Sequence, residues 1–100
     1  MSEENLVGRL VYSKAGRDQG RPLLVIRVID NRLVLVVDGD LRTVEKPKIK
    51  NLRHLQTTNR VASAIVEKMA RGDPLSNSEV RKAIEDLLYR DSGGGGLEDG

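Results

Sequence analysis

The segment Leu6–Val28 constrains the fold more than any other part of the sequence, because two runs of branched apolar residues flank one glycine-containing loop. Aliphatic and β-branched side chains favour the pleated backbone of a sheet, so these runs predict strands over Leu6–Ser13 and Leu23–Ile29. Pro22 has no N–H to donate and suits the first position of a strand. The segment therefore predicts a hairpin whose loop, Lys14–Arg21, projects from a rigid scaffold.

Short apolar runs separated by turn residues continue beyond this hairpin. They predict strands over Leu33–Val37 and Leu41–Val44, and a short fifth strand within Lys48–Leu55. The sequences Asp30-Asn31 and Asp38-Gly39-Asp40 supply the turns between them, because these residue types tolerate a left-handed backbone. Short strands at this spacing are typical of a β-barrel or a β-sandwich.

A change of periodicity after residue 57 predicts two short helices. Thr58 or Asn59 caps the first helix, Gly72 ends it, and Ser76 and Glu79 have the spacing of a capping box before the second. The apolar positions at helical spacing are Val61, Ile65, Val66 and Met69, followed by Val80, Ala83, Ile84, Leu87 and Leu88. Helices this short are not stable alone, so their apolar faces must pack on the strands or on a partner.

The last part of the chain has a different composition, with four successive glycines after Ser92. Such a segment buries too little apolar surface to fold and is expected to be disordered. The sequence as a whole predicts a mainly β fold with a C-terminal α-hairpin. We divide it into a β domain over residues 1–57, a helical hairpin over residues 58–91 and a disordered glycine-rich tail over residues 92–100.

Positive charge is concentrated in the first part of the chain. Residues 1–57 carry eleven Lys and Arg against seven Asp and Glu, whereas residues 58–100 carry six against eight. This asymmetry indicates a polyanionic partner better than the net charge of +2 does. In the loop 14–21, cations can meet phosphates and glycines permit close approach. The competing interpretation is a solvated hairpin loop in which Asp18 pairs with a neighbouring arginine.

A second basic segment alternates Lys46, Lys48 and Lys50 with Pro47 and Ile49. In an extended backbone, residues two apart point to one face, so the three lysines are expected to form a row with a spacing of about 7 Å. That spacing roughly matches the phosphates of a nucleic-acid strand. The competing interpretation is an edge strand on which lysines prevent pairing with another sheet.

Several classes of function find no support in the sequence. There is no cysteine for a disulfide or a thiolate zinc site, and His54 is the single histidine. No nucleophile, base and orienting group form a catalytic set, so we expect no enzyme activity, metal, cofactor or small-molecule substrate. No apolar run approaches the ~20 residues of a membrane span. The first residues lack the features of a signal peptide, so a cytoplasmic location is expected.

Val11, the loop Ala15–Arg21 and the run Leu23–Val28 resemble the KOW motif of ribosomal and transcription-elongation proteins. The stretch Ile29–Val44 is similar to the archaeal and eukaryotic large-subunit ribosomal branch of that family. Through Lys46–Gln56, the whole pattern resembles small bacterial KOW-domain RNA-binding proteins. The resemblance implies an SH3-like barrel of about five strands for residues 1–57, and it implies binding of RNA, often ribosomal RNA.

The resulting prediction is non-catalytic binding of structured RNA on the ribosome or as an assembly or translation factor. Tyr12 is the one aromatic beside the loop, so recognition is expected to rest on phosphates, 2′-hydroxyls and RNA shape. The predicted RNA-binding residues are Lys14, Gly16, Arg17, Gly20, Arg21, Lys46, Lys48, Lys50 and Arg53, with Arg9 and Arg42 as weaker candidates. The alternative function is a protein-interaction module that uses the barrel or the helical hairpin as an adaptor.

Overall fold

The computed structural model describes residues 6–97 and contains five strands followed by two helices. These elements are β1 (Arg9–Ser13), β2 (Pro22–Val28), β3 (Leu33–Val37), β4 (Lys48–Asn51), β5 (Leu55–Val61), α1 (Ser63–Ala70) and α2 (Asn77–Leu97). The strands form one sheet in the order β4-β3-β2-β1-β5, and every pairing is antiparallel. The prediction of a mainly β fold with C-terminal helices is confirmed.

Both faces of the sheet are buried, which explains why β2 and β3 are almost continuously apolar. Leu24 and Val37 face the helices and belong to one core cluster, whereas Val25 and Val36 belong to a second cluster. Among the residues whose burial the structure describes, neither α1 nor α2 contributes a buried residue to the second cluster. Since no other layer covers that face, the sheet itself must curl over it, as the strands of a small barrel do.

A contact of Lys50 gives independent evidence of this curvature. Its Nζ donates to the Ser13 Oγ at 3.1 Å, although β3 and β2 lie between β4 and β1 in the sheet. In a flat sheet the two strands would be about 14 Å apart, at three spacings of roughly 4.8 Å, which is beyond the reach of a lysine. The sheet is therefore strongly curved, and β4 closes toward the end of β1.

The helical hairpin packs on its own sheet. Val80, Ile84 and Leu87 of α2 and Ile65 of α1 are buried in one cluster with the sheet residue Leu24. This settles the open choice between the barrel and a partner, and a protein partner for the apolar face of the hairpin is not supported. The predicted capping box is confirmed. The Glu79 Oε1 accepts from the backbone N–H of Ser76, whose Oγ accepts from the N–H of Glu79.

The prediction that a helix begins at Thr58 or Asn59 is wrong. Residues 55–61 form β5, in which the Thr58 hydroxyl donates to the Leu10 carbonyl at 2.7 Å and Val61 pairs with Arg9. Tertiary pairing with β1 therefore decides the structure of a segment whose own pattern is ambiguous. The strand crosses the boundary predicted after residue 57, and α1 begins only at Ser63.

The strand predicted over Leu41–Val44 is also absent. These residues form bends and irregular backbone. Their backbone N–H groups donate to side chains and not to the carbonyl groups of a neighbouring strand. The Asp38 Oδ1 accepts from the N–H of Arg42, and the Asn77 Oδ1 accepts from the N–H of Val44, both at 2.8 Å. Side-chain acceptors of this kind compete directly with a sheet ladder.

The second helix is longer than predicted. It continues to Leu97 instead of ending at residue 91, although glycine disfavours a helix by about 1 kcal/mol per residue relative to alanine. The remaining part of the predicted tail, residues 98–100, lies outside the described residues. Within residues 6–97, neither helix has the length and apolar character that crossing a membrane requires.

Candidate nucleic-acid interface

Three basic segments meet at one end of the barrel, which we call the basic end. Because β1 and β3 are both antiparallel to β2, they run in the same direction. The loops 14–21 and 38–47, which follow β1 and β3, therefore lie at the same end of the sheet. The turn 52–54 lies beside them, since the N–H of Lys14 donates to the His54 carbonyl at 2.8 Å. The basic end therefore consists of residues 14–21, 38–48 and 52–54.

Two glycines shape the loop 14–21. Gly16 and Gly20 have φ angles of 77° and 84°, in the left-handed region where glycine is favoured, and their surroundings are open. A short 3₁₀ turn over Gly16–Asp18 follows, and the Arg21 N–H donates to the Asp18 carbonyl at 2.8 Å. The turn directs the Asp18 side chain inward and leaves Arg17 exposed.

Asp18 is buried and is surrounded by cations from other segments. Its side chain is 4% exposed, and its Oδ2 accepts from the Nη2 and Nε of Arg42 at 2.9 and 3.2 Å. The Lys50 Nζ lies 3.8 Å from the same oxygen. The sequence-based alternative that Asp18 pairs with a neighbouring arginine is therefore wrong in its partner, because Arg42 comes from the other loop.

Asp38 is also buried, and it forms a second ion pair that joins the same two loops, although the Arg21 side chain of this pair is 37% exposed. Its Oδ2 accepts from the Arg21 Nη1 at 3.1 Å, and its Oδ1 accepts from the backbone N–H groups of Asp40 and Arg42 at 2.8 Å. Among the residues that the structure describes, no buried side-chain nitrogen or oxygen lacks a hydrogen-bond partner. Both carboxylates therefore have partners inside the protein.

The ion pairs divide the predicted contact residues into two groups. Arg21 and Lys50 turn toward the buried carboxylates, and the side chain of Lys50 is 11% exposed. The predicted row of three lysines is therefore wrong, because Lys50 points inward and Lys46 precedes β4. Lys48 remains exposed on β4, which is an edge strand of the sheet as the competing interpretation required.

The second group comprises cations whose side chains are exposed. Within the described part of the chain, no hydrogen bond or ion pair engages them, so they are available to a ligand. They are Lys14, Arg17, Lys46, Lys48 and Arg53. Arg9, a weaker candidate, donates instead to the Thr58 carbonyl at 3.1 Å.

The start of α2 supports the loop 38–47 through contacts that no sequence pattern indicates. The Arg81 Nη1 donates to the Gly39 carbonyl at 2.6 Å, and the Asn77 Nδ2 donates to the Glu45 Oε1 at 2.9 Å. The hydrogen bond from Asn77 is the main reason that the pKa of Glu45 lies below its ordinary value. The capping box located Asn77 in the first turn of a helix, but no local signal related that turn to Glu45, 32 residues earlier in the chain.

Comparison with known proteins identifies the family. No protein-family model matches the chain. The large ribosomal subunit protein eL14 of Desulfurococcus amylolyticus is 35% identical over 78 residues, which cover 78% of this chain and 74% of that protein. The eL14 protein of Pyrobaculum arsenaticum is 32% identical over 79% of this chain and 70% of its own length. The eL14 protein of Staphylothermus marinus is 30% identical over 78% of this chain and 74% of its own length.

These relatives confirm the ribosomal part of the KOW resemblance. They are archaeal proteins, so the bacterial part of the resemblance has no support among them. Identities of 30–35% that extend over at least 70% of both chains indicate a family relationship and not only a similar fold. The chain therefore belongs to the eL14 family of large ribosomal subunit proteins.

Proposed function

We propose that this protein is a non-catalytic component of the large ribosomal subunit that binds structured ribosomal RNA through the basic end. The names of its relatives support the ribosomal setting, and with it a cytoplasmic location. The observation that carries the RNA-binding role is the separation of charges at the basic end. Five cations there are exposed, whereas Asp18 and Asp38 are buried and paired.

This arrangement suits a polyanion because two of the four acids of the basic end, Asp18 and Asp38, are removed from the surface, whereas Asp40 and Glu45 remain exposed. RNA phosphates approaching the basic end meet lysine and arginine side chains, while the two carboxylates are neutralised inside the protein. Each phosphate that a cation neutralises releases condensed counterions, so binding is driven largely by charge and weakens as salt rises. Arginine adds paired donors that fit phosphate oxygens, whereas lysine acts as a compact charge.

The remaining predicted residues have different roles in this proposal. Gly16 and Gly20 have no side chain that would project into the open space around the loop. This lets the RNA backbone approach the exposed cations beside them. Arg21 and Lys50 hold the two loops in place through their buried partners, and the partly exposed Arg21 also adds to the potential at the surface without being a principal phosphate contact.

The test compares two variants that lose the same charge, one inside the basic end and one outside it. One variant carries Lys14→Gln and Arg17→Gln. Its matched control carries Arg27→Gln and Lys82→Gln, which alter exposed cations of β2 and α2 outside the basic end. Affinity for tiled fragments of large-subunit ribosomal RNA is measured by filter binding at 50–300 mM KCl.

We expect the basic-end variant to bind at least tenfold more weakly at the middle of this range. Its slope of log K against log salt should fall by about 1.5, because two phosphate contacts of roughly 0.7–0.9 each are lost. The control should change much less. Equal loss in both variants would refute the assignment of the interface, and binding by the wild type that does not depend on salt would favour a protein-interaction module.

A further inference from the structure

We propose that Asp18 is a positioning residue for RNA binding, in the sense that its buried carboxylate fixes the two basic loops relative to each other. This inference rests on the proposed function above. In this inference an acidic residue strengthens the binding of a polyanion, although the negative charge of aspartate alone predicts the opposite. The geometry around its Oδ2 supports this role.

Three segments of the chain meet at this carboxylate, and Lys50 links them to a fourth. Asp18 belongs to the loop 14–21, Arg42 to the loop 38–47, and Lys50 to β4. Lys50 also donates to the hydroxyl of Ser13 at the end of β1. The buried carboxylate of Asp18 thus connects both basic loops to β4 and, through Lys50, to β1.

The loops need such a connection because they have little strand pairing. Residues 38–47 consist of bends and irregular backbone, and the loop 14–21 has one 3₁₀ turn and one isolated bridge, between Ser13 and Gln19. These segments carry exposed cations of the basic end, including Lys14, Arg17 and Lys46. Ordering free loops during association lowers affinity, whereas loops already held in place bind without that penalty.

Two models predict opposite signs for the variant Asp18→Asn. The change removes a negative charge beside the RNA and releases Arg42 and Lys50 from their ion pairs. If only net charge mattered, affinity for RNA would rise. If Asp18 positions the loops, affinity should fall about five- to tenfold, which corresponds to the ordering of one or two interface side chains.

The salt dependence separates a positioning residue from a contact residue. With Asp18→Asn, the bound complex still contacts the same phosphates, so the slope of log K against log salt should stay within about 0.3 of the wild-type slope. A lost contact reduces that slope by roughly 0.7–0.9. The matched control is Asp40→Asn, which neutralises an exposed acid at the same end and should leave affinity equal or slightly higher.

The experiment measures binding of the full chain to the ribosomal RNA fragment that the wild type prefers, at a temperature where circular dichroism shows each variant folded. Amide hydrogen exchange of the free proteins supplies a second readout. The N–H of Arg21 bonds to the carbonyl of Asp18 itself and that of Gly20 to the carbonyl of Ser13, so both should exchange faster in Asp18→Asn. Faster exchange, weaker binding and an unchanged slope support the proposal.

Other outcomes overturn it in distinguishable ways. Unchanged or tighter binding by Asp18→Asn, or unchanged exchange in the loop, refutes the positioning role while the proposed function stands. Absence of wild-type RNA binding refutes the proposed function itself. If Asp18→Asn does not fold, Lys50→Met decides the question, because a positioning role predicts weaker binding with an unchanged slope and a contact role predicts a reduced slope.

Discussion

Gly39 offers a direct test of the contact between α2 and the loop 38–47. Its φ is 79°, and a Cβ at this position would lie 2.5 Å from the Asn77 carbonyl oxygen and 2.9 Å from the Arg81 Cγ. The nearer atom belongs to the helix backbone and cannot rotate away. The substitution Gly39→Ala should therefore force the loop and the helix apart in addition to straining the backbone.

Gly72 provides a matched control because it has the same φ of 79° and no atom within 4 Å of its ideal Cβ position. Placing alanine in the left-handed region costs about 1–2 kcal/mol at either site. Overpacking at Gly39 adds about 1–3 kcal/mol. We expect Gly39→Ala to lower the free energy of unfolding by about 2–5 kcal/mol and Gly72→Ala by about 1–2 kcal/mol.

The assay is urea unfolding at 25 °C, followed by far-ultraviolet circular dichroism and repeated as thermal melts. For a domain of this size, 1 kcal/mol corresponds to a change in Tm of about 4–8 °C, so the difference between the two variants should be easily resolved. Equal destabilisation by Gly39→Ala and Gly72→Ala would show that the start of α2 does not pack on the loop. The reasoning from the close approach at Gly39 would then be refuted.

Two further predictions concern ion pairs. Arg21→Ala should lower the free energy of unfolding by about 1–2 kcal/mol, because it leaves the buried carboxylate of Asp38 without its charged partner, whereas Arg17→Ala should change it by no more than about 0.5 kcal/mol. Urea titrations compare the two, and equal effects would contradict the assigned pairing. A hydrogen bond from Lys68 is the main cause that lowers the pKa of Glu79 in the folded state. The ionised Glu79 therefore stabilises the fold above its unfolded-state pKa, and this stabilisation is lost as pH falls through the lower folded-state pKa. Melts from pH 7 to pH 3 should therefore show a smaller loss of Tm in Glu79→Gln than in the wild type, and identical losses would refute this.

The sequence predicted those elements whose signals are local. The apolar run of β3 has the predicted bounds, Leu33–Val37, because flanking turn residues delimit it and both of its faces are buried. The capping box before α2 is likewise read from two residues three positions apart. These features depend on neighbours in the chain, so a sequence pattern contains enough information to place them.

The errors arise where distant partners decide the backbone. Val61 fits a helical pattern with Ile65, but the segment before it pairs with β1 and becomes β5. Leu41–Val44 has strand-forming residues, but Asp38 and Asn77 accept the hydrogen bonds of its backbone. In both places the local propensity is weak, and a long-range hydrogen-bond partner that no pattern reveals determines the structure.

The candidate site shows why a count of charges cannot identify contact residues. The sequence predicts which segments are basic, but Arg21, Lys50 and Arg42 differ from Arg17 only through the buried carboxylates that they reach. These pairs place two acids beneath the surface and leave neighbouring cations exposed above it. The potential at the surface of the basic end is therefore more positive than the composition of the loops suggests, because a paired, buried acid repels a phosphate far less than an exposed one. For the proposed RNA binding, removing the buried Asp18 should weaken affinity because it releases the loops that this residue holds, whereas removing an exposed acid should not.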